Sequence, residues 1–185
     1  MILTGPEIIE AAHDGRVEIS PFSHDQVNPN SYNVCLGETL VTYACEVIDP
    51  YQPNSTEAIK MGPEGYVLCP NELYLGHTAE EIGSDVYVPL LFGRSSVGRL
   101  GLFVEITAPI GDIGFHGQWT LMLSPVRPLR VYPGMKIGQI MFFVSVGAIE
   151  LYSGKYQFSQ GPQESRYWRD QGLQPDSAQP KAPVA

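Results

Sequence analysis

Apolar residues in this chain come in short bursts, often alternating with polar ones, and proline or glycine interrupts most of them. The exception lies at the start. Ile8, Ile9 and Ala12 share one face behind Thr4, Pro6 and Glu7, and Gly15 follows. Thr4 placed three residues before Glu7 reads as a capping box, Pro6 suits a first helical turn and Gly15 a stop, so a helix is predicted over residues 2–15. Residues 16–22 then predict a short strand ended by Pro21. Between residues 38 and 91 the apolar stretches 39–43, 65–68 and 73–78 are separated by Pro50, Pro53, Pro63, Pro70 and Pro89, and residues 49–65 read as a surface loop. Short strands at roughly ten-residue spacing predict a β sandwich or barrel rather than βαβ units. Farther on, residues 118–123 alternate, and a turn over 132–139 feeds the apolar strand 140–146.

Past Gly147 the apolar runs thin out. Residues 152–170 mix rings with hydrogen-bond donors, a composition suited to a lid, and residues 171–185 read as a disordered tail. With 185 residues and 43% hydrophobic content, the chain is long enough for one domain, placed at 1–170. A net charge of −9 argues against a nucleic-acid partner held by a basic surface. There is no apolar run long enough to span a membrane and no signal peptide. Cys35, Cys45 and Cys69 lack metal-type spacing and suit free thiols in a reducing compartment, so a soluble, cytoplasmic protein is expected.

In an acidic chain the few basic residues become informative. Residues 93–101 hold Arg94, Ser95, Ser96 and Arg99 among three glycines. Arginines for charge, hydroxyls as donors and glycines for close approach make a phosphate cradle. It is not a Walker loop, because the Gly-Lys-Ser/Thr ending is missing. Residues 111–117 follow, a glycine-rich turn around the single acid Asp112.

The order of these motifs resembles the dCTP deaminase and dUTPase family, and the dCTP deaminase branch more closely. The resemblance rests on Arg94-Ser95-Ser96-Val97-Gly98-Arg99-Leu100-Gly101-Leu102 paired with Pro133-Gly134-Met135-Lys136-Ile137-Gly138-Gln139. It extends from Met1-Ile2-Leu3 to Ser165-Arg166. It implies an all-β, distorted jelly roll of the dUTPase type with a short N-terminal helix, and a homotrimer with sites between subunits, so that Arg99 serves a neighbour's site. It also implies a pyrimidine nucleoside triphosphate as substrate, Mg²⁺ carried on its phosphates with no metal ligand in the chain, and residues 147–170 as the lid. Carried over residue by residue, Arg94, Ser95, Ser96 and Arg99 contact phosphate, and Asp112 contacts the sugar hydroxyl and orients water. Thr120, Leu121 and Met122 lie on the strand whose backbone reads the base. Gln139, Tyr152, Lys155 and Tyr156 match positions near base, sugar or phosphates.

The departures decide the chemistry. Relatives carry a glutamate in a Thr-Leu-Glu-Leu step; this chain reads Thr120-Leu121-Met122-Leu123. Deamination at C4 needs a group that takes a proton from water and gives one to ammonia, which a thioether cannot do. Glu105, where relatives have a histidine, is the nearby acid that can stand in; strand alternation puts it on the face of Phe103 and Thr107. Gly111 and Ile113 alter the turn around Asp112. Asn33 and Cys35 replace an acid and an arginine that would pair with each other. Ser159 falls on a family glutamine, for which Gln160 compensates if the lid shifts by one. Catalysis is therefore assigned to Asp112 and Glu105, with water attack on the phosphoanhydride favoured. A dCTP deaminase forming dUTP and ammonia is the alternative, and a binding relative without turnover, or one retasked to a modified nucleotide, is the second.

Overall fold

The structure is a computed structural model and describes residues 1–172. The elements in chain order are α1 (Gly5–His13), β1 (Glu18–Ser20), a 3-10 turn (His24–Gln26), β2 (Val27–Asn28), β3 (Ser31–Cys35), β4 (Thr39–Tyr43), β5 (Thr56–Lys60), β6 (Tyr66–Leu68), β7 (Tyr74–Gly83) and β8 (Tyr87–Gly93). They continue with α2 (Ser95–Gly98), β9 (Leu102–Phe103), β10 (His116–Pro125), β11 (Leu129–Val131), β12 (Lys136–Val144) and a 3-10 turn (Tyr167–Gln171). The predicted tail falls at residues 173–185, outside the described residues, apart from Gln171 and Gly172, which close that last turn.

Two antiparallel sheets carry the fold. One has the order β5-β4-β7-β10-β9, with β1 also paired to β7; the other has the order β2-β3-β12-β8; β6 and β11 form a separate pair. Alternation explains the core. Leu121 and Leu123 on β10, Leu40 on β4 and Ile82 on β7 are fully buried from the first sheet. Tyr32 and Val34 on β3 and Ile140 and Phe142 on β12 meet them in one cluster from the second. This is a β sandwich of jelly-roll type, as the proline-punctuated pattern predicts. Among the described residues no helix is long and apolar enough to cross a membrane. Cys35, Cys45 and Cys69 are free.

Several elements differ from the sequence expectation. The Thr4 side chain makes no capping bond. Glu7 is drawn instead to Arg16, whose Nη1 donates to its Oε1 at 2.9 Å, so the capping box never closes. The buried face of α1 is Gly5, Ile8 and Ala11 rather than Ile8, Ile9 and Ala12. The stretch read as a loop over 49–65 contains β5, an edge strand exposed along most of its length and therefore without an apolar signature. Asn33 is not the partner of residue 35. Its amide donates to Gln26 O and Asn28 Oδ1, at 3.2 and 3.1 Å, while the Cys35 N–H donates to the buried Glu80 carboxylate at 3.0 Å.

Candidate functional site

β10 organises the site. Its inward residues Leu121 and Leu123 lock the strand into the core, which turns Thr120 and Met122 to the other face. Between Gln118 and Thr120 the register with β7 slips, and the Trp119 N–H donates to Thr78 Oγ1 at 2.9 Å instead of to the ladder. This bulge brings Gln118, Trp119 and Thr120 to one cavity. The cavity measures about 490 Å³, the size of a small-molecule site. Leu75 on β7, in register with Met122, forms part of its floor.

The glycine-rich turn forms one rim. Asp112 is exposed there and opens onto the cavity. Gly111 is required by close packing: a Cβ at that position would lie 2.0 Å from Cη2 of Trp119. The Trp119 ring is fixed by its Nε1–H, which donates to Ile82 O at 3.2 Å, and by an edge contact to Phe115 with centroids 5.7 Å apart. Phe115 in turn meets Tyr152 edge-on at 6.0 Å, so three rings make one aromatic wall.

The C-terminal segment runs along the turn and β10. Tyr152 N–H donates to Ile113 O and Phe158 N–H to His116 O, each at 2.8 Å. Gln163 N–H donates to Thr120 Oγ1 at 3.0 Å, and Ser165 N–H to the Tyr43 hydroxyl at 3.1 Å. Tyr156 takes the Arg166 N–H at 2.8 Å, with the Lys155 and Arg166 cations each 5.6 Å from its ring centroid. These bonds close one side of the cavity with Tyr152, Tyr156 and Gln163. Behind the turn, His116 is held between Glu18 Oε2 at 2.5 Å and Asp85 Oδ1 at 2.9 Å. Burial pulls its pKa down, but the two carboxylates outweigh that and raise it.

Glu105 follows β9. The β9–β10 register pairs Leu102 with Pro125 and Phe103 with Ser124. Continued by two residues, it brings Glu105 opposite Met122, and cross-strand partners share a face. Glu105 lines the same cavity, and among the described residues its buried Oε1 has no hydrogen-bond partner. Burial pushes its pKa from the ordinary 4.5 up to about 7, against a lowering contribution from the Met122 backbone N–H.

Of the residues singled out from the sequence, Glu105, Asp112, Thr120, Met122, Tyr152 and Tyr156 meet in this cavity. Others lie elsewhere in the single chain. Arg94 precedes α2, with Nη1 donating to Lys136 O at 3.4 Å, and Ser95, Ser96 and Arg99 are exposed. Leu121 points into the core, so its backbone alone is open to the site. Gln139 sits on β12 and accepts from Ser31 Oγ at 3.3 Å. Lys155 is paired with Asp170. Gln160 lies outside this cavity, with its Nε2 donating to Glu81 at 2.7 Å beside His116, and Gln163 and Gln118 are the glutamines that line the cavity. Sequence reasoning also missed Phe115 and Tyr43, and took Trp119 only as a member of the base-reading strand, not as a ring of the wall. Trp119 had a signal in principle, a bulky ring a few residues beyond an unusually bare Gly-Asp turn; Tyr43 had none, because only the sheet order brings β4 near the C-terminal segment. Among the described residues no group of three or more His, Cys, Asp or Glu side chains is arranged to hold a metal ion.

Fold and cavity define a jelly-roll protein with an acid at the rim, a second acid at the floor and an aromatic wall between them. The chain belongs to the dCTP deaminase-like family, whose sequence model matches residues 2–145. It is 46% identical over 171 residues to a Clostridium beijerinckii protein named dCTP deaminase, dUMP-forming, covering 92% of this chain and 98% of that one. A protein of the same name from Leptospira biflexa is also 46% identical over 171 residues, with the same coverage. Among solved structures, the 2'-deoxycytidine 5'-triphosphate deaminase of Agrobacterium tumefaciens superposes with a TM-score of 0.63 at 21% identity. That match covers 78% of this chain and 48% of that one, and is a likeness of fold.

Proposed function

We propose that this chain hydrolyses a pyrimidine deoxynucleoside triphosphate at the phosphoanhydride. The base and sugar sit in the cavity, and residues 147–170 serve as the lid. The observation that carries the reading is Asp112, an exposed carboxylate at the rim of a nucleotide-sized cavity. There it is free to accept a proton from water and a hydrogen bond from a sugar hydroxyl. The relatives' name supports the same step, because forming dUMP from dCTP requires the α–β phosphoanhydride to break as well as the amino group to leave.

The triphosphate needs cations, and Arg94 and Arg99 lie outside the cavity of their own chain. A homotrimer in which α2 of one copy faces the cavity of the next supplies them. Exposed Leu100, Phe103, Ile106 and Ile110 flank that region and give such an interface its apolar surface. Mg²⁺ enters on the substrate's phosphates, where it neutralises charge; this chain's part is to hold base, sugar and water.

Purified protein is incubated with dUTP, dCTP and their ribonucleotide counterparts, and pyrophosphate is measured. Release from a pyrimidine deoxynucleotide, abolished in Asp112→Asn because the amide cannot take a proton from water, is expected. Tight binding without pyrophosphate would overturn the reading in favour of a carrier without turnover.

A further inference from the structure

We propose that Glu105 performs the proton transfers of C4 deamination from the strand beside β10, so that the cavity also converts a 4-aminopyrimidine nucleotide to its 4-oxo form. The inference rests on the reading above for the seating of the base. Met122 leaves β10 without an acid at the step where relatives place one. Glu105, opposite it and one strand over in the extrapolated β9–β10 register, lines the same cavity. Moving a carboxyl across one rung of a ladder changes its strand and keeps its face, since directly opposed side chains lie about 5 Å apart at Cβ.

Three features suit Glu105 to this work. Oε1 is buried and has no hydrogen-bond partner among the described residues, which leaves its bonding capacity unspent. The side chain lines the cavity that Thr120 and Met122 of β10 also line. Its surroundings leave both protonation states accessible near neutral pH, as a group that takes up and returns a proton requires.

The step balances without a further reagent. The Glu105 carboxylate takes a proton from water as the water oxygen bonds to C4, and passes that proton to N3. It then takes the proton of the new C4 hydroxyl and gives it to the amino nitrogen. The C4–N bond breaks, ammonia leaves, C4 becomes a carbonyl, and the carboxylate is regenerated. One water is consumed for each ammonia released.

Asp112, Glu164, Tyr43, Tyr152 and Tyr156 also line the cavity, and Met122 and Leu75 bring no charge. A pH profile must therefore be assigned by substitution. Ammonia release from dCTP and pyrophosphate release from dUTP are measured separately on the wild-type protein. Ammonia is expected, with a rate that rises through about pH 7 as Glu105 ionises. Glu105→Gln should lower the ammonia rate by roughly 10²–10⁴-fold and remove that limb of the profile. Glu105→Asp keeps the carboxylate and the limb at a reduced rate, and serves if the glutamine variant fails to fold. Pyrophosphate without ammonia overturns this inference and leaves the earlier reading standing; ammonia without pyrophosphate does the reverse. An unchanged ammonia rate in Glu105→Gln also overturns it.

Discussion

Replacing Glu105 by glutamine should make the protein more stable, and by an amount that depends on pH. In the folded chain the carboxyl titrates at about 7 rather than at its ordinary 4.5, because burial disfavours the charged form. The folded state therefore binds this proton more tightly than the unfolded chain does. Between those two values the native protein holds more protons, so its stability falls as pH rises. Below about 4.5 the group is neutral in both states and costs nothing; above about 7 the full penalty is present. At about 1.4 kcal/mol per pH unit, the gap between the two values amounts to on the order of 3 kcal/mol. That figure is a ceiling, since solvent reaches part of the side chain. For a chain of this length it corresponds to roughly 6–12 °C in Tm. The glutamine amide keeps the shape and carries no charge, so it escapes the penalty. Thermal unfolding of both proteins without nucleotide, at one protein concentration and from about pH 5 to about pH 8.5, should show a small difference at the acid end that widens toward the alkaline end in favour of Glu105→Gln. Parallel curves across that range would refute the argument and would mean that Glu105 is hydrated in the folded protein.

Two further predictions concern packing and charge. Gly111→Val should displace the Trp119 ring, because a Cβ there meets Cη2 at 2.0 Å; adding Trp119→Ile should recover part of the lost stability, with a coupling of roughly 1–3 kcal/mol in a double-mutant cycle. Strict additivity would contradict the contact. Arg94→Ala and Arg99→Ala should each weaken triphosphate binding by about 2–5 kcal/mol in calorimetry, and sedimentation should give a trimer. Unchanged affinity in both variants, or a monomer at micromolar concentration, would remove the shared phosphate site.

The sandwich was legible because its information is local. A strand needs a short apolar burst and a turn, and proline and glycine supply the punctuation along this chain. β5 was missed for the same reason: an edge strand with both faces near water has no burst to detect. The capping box failed because Arg16 competes for Glu7 from outside the helix, a contact no local pattern contains. In the site, the rim and floor acids and the tyrosines Tyr152 and Tyr156 were readable from motif order. The aromatic wall was not, since it depends on a bulge that turns Trp119 toward Phe115. Gln163, rather than Gln160, reaches the cavity because the C-terminal segment follows β10 with its own backbone bonds, and motif alignment does not fix that path.

The departures from the family pattern are connected through space. Where β10 lacks an acid at Met122, an acid stands opposite at Glu105. Where the turn is reduced to Gly111, the Trp119 ring fills the volume a side chain would take. Where residue 35 is a cysteine, the buried Glu80 carboxylate that faces it is held by neutral donors, the Cys35 N–H at 3.0 Å and Gln26 Nε2 at 2.6 Å. Each change made alone would leave an empty volume, an overlap or a buried charge without a partner, and each of these destabilises. The compensating residue lies on a neighbouring element in every case, just after β9, on β10 and in the 3-10 turn before β2. Decay toward an inert fold would not require an acid on the cavity face or a ring wedged against a glycine. If Glu105 carries the chemistry, ammonia release from dCTP is lost in Glu105→Gln while pyrophosphate release from dUTP persists; an ammonia rate that survives the substitution separates this acid from the reaction.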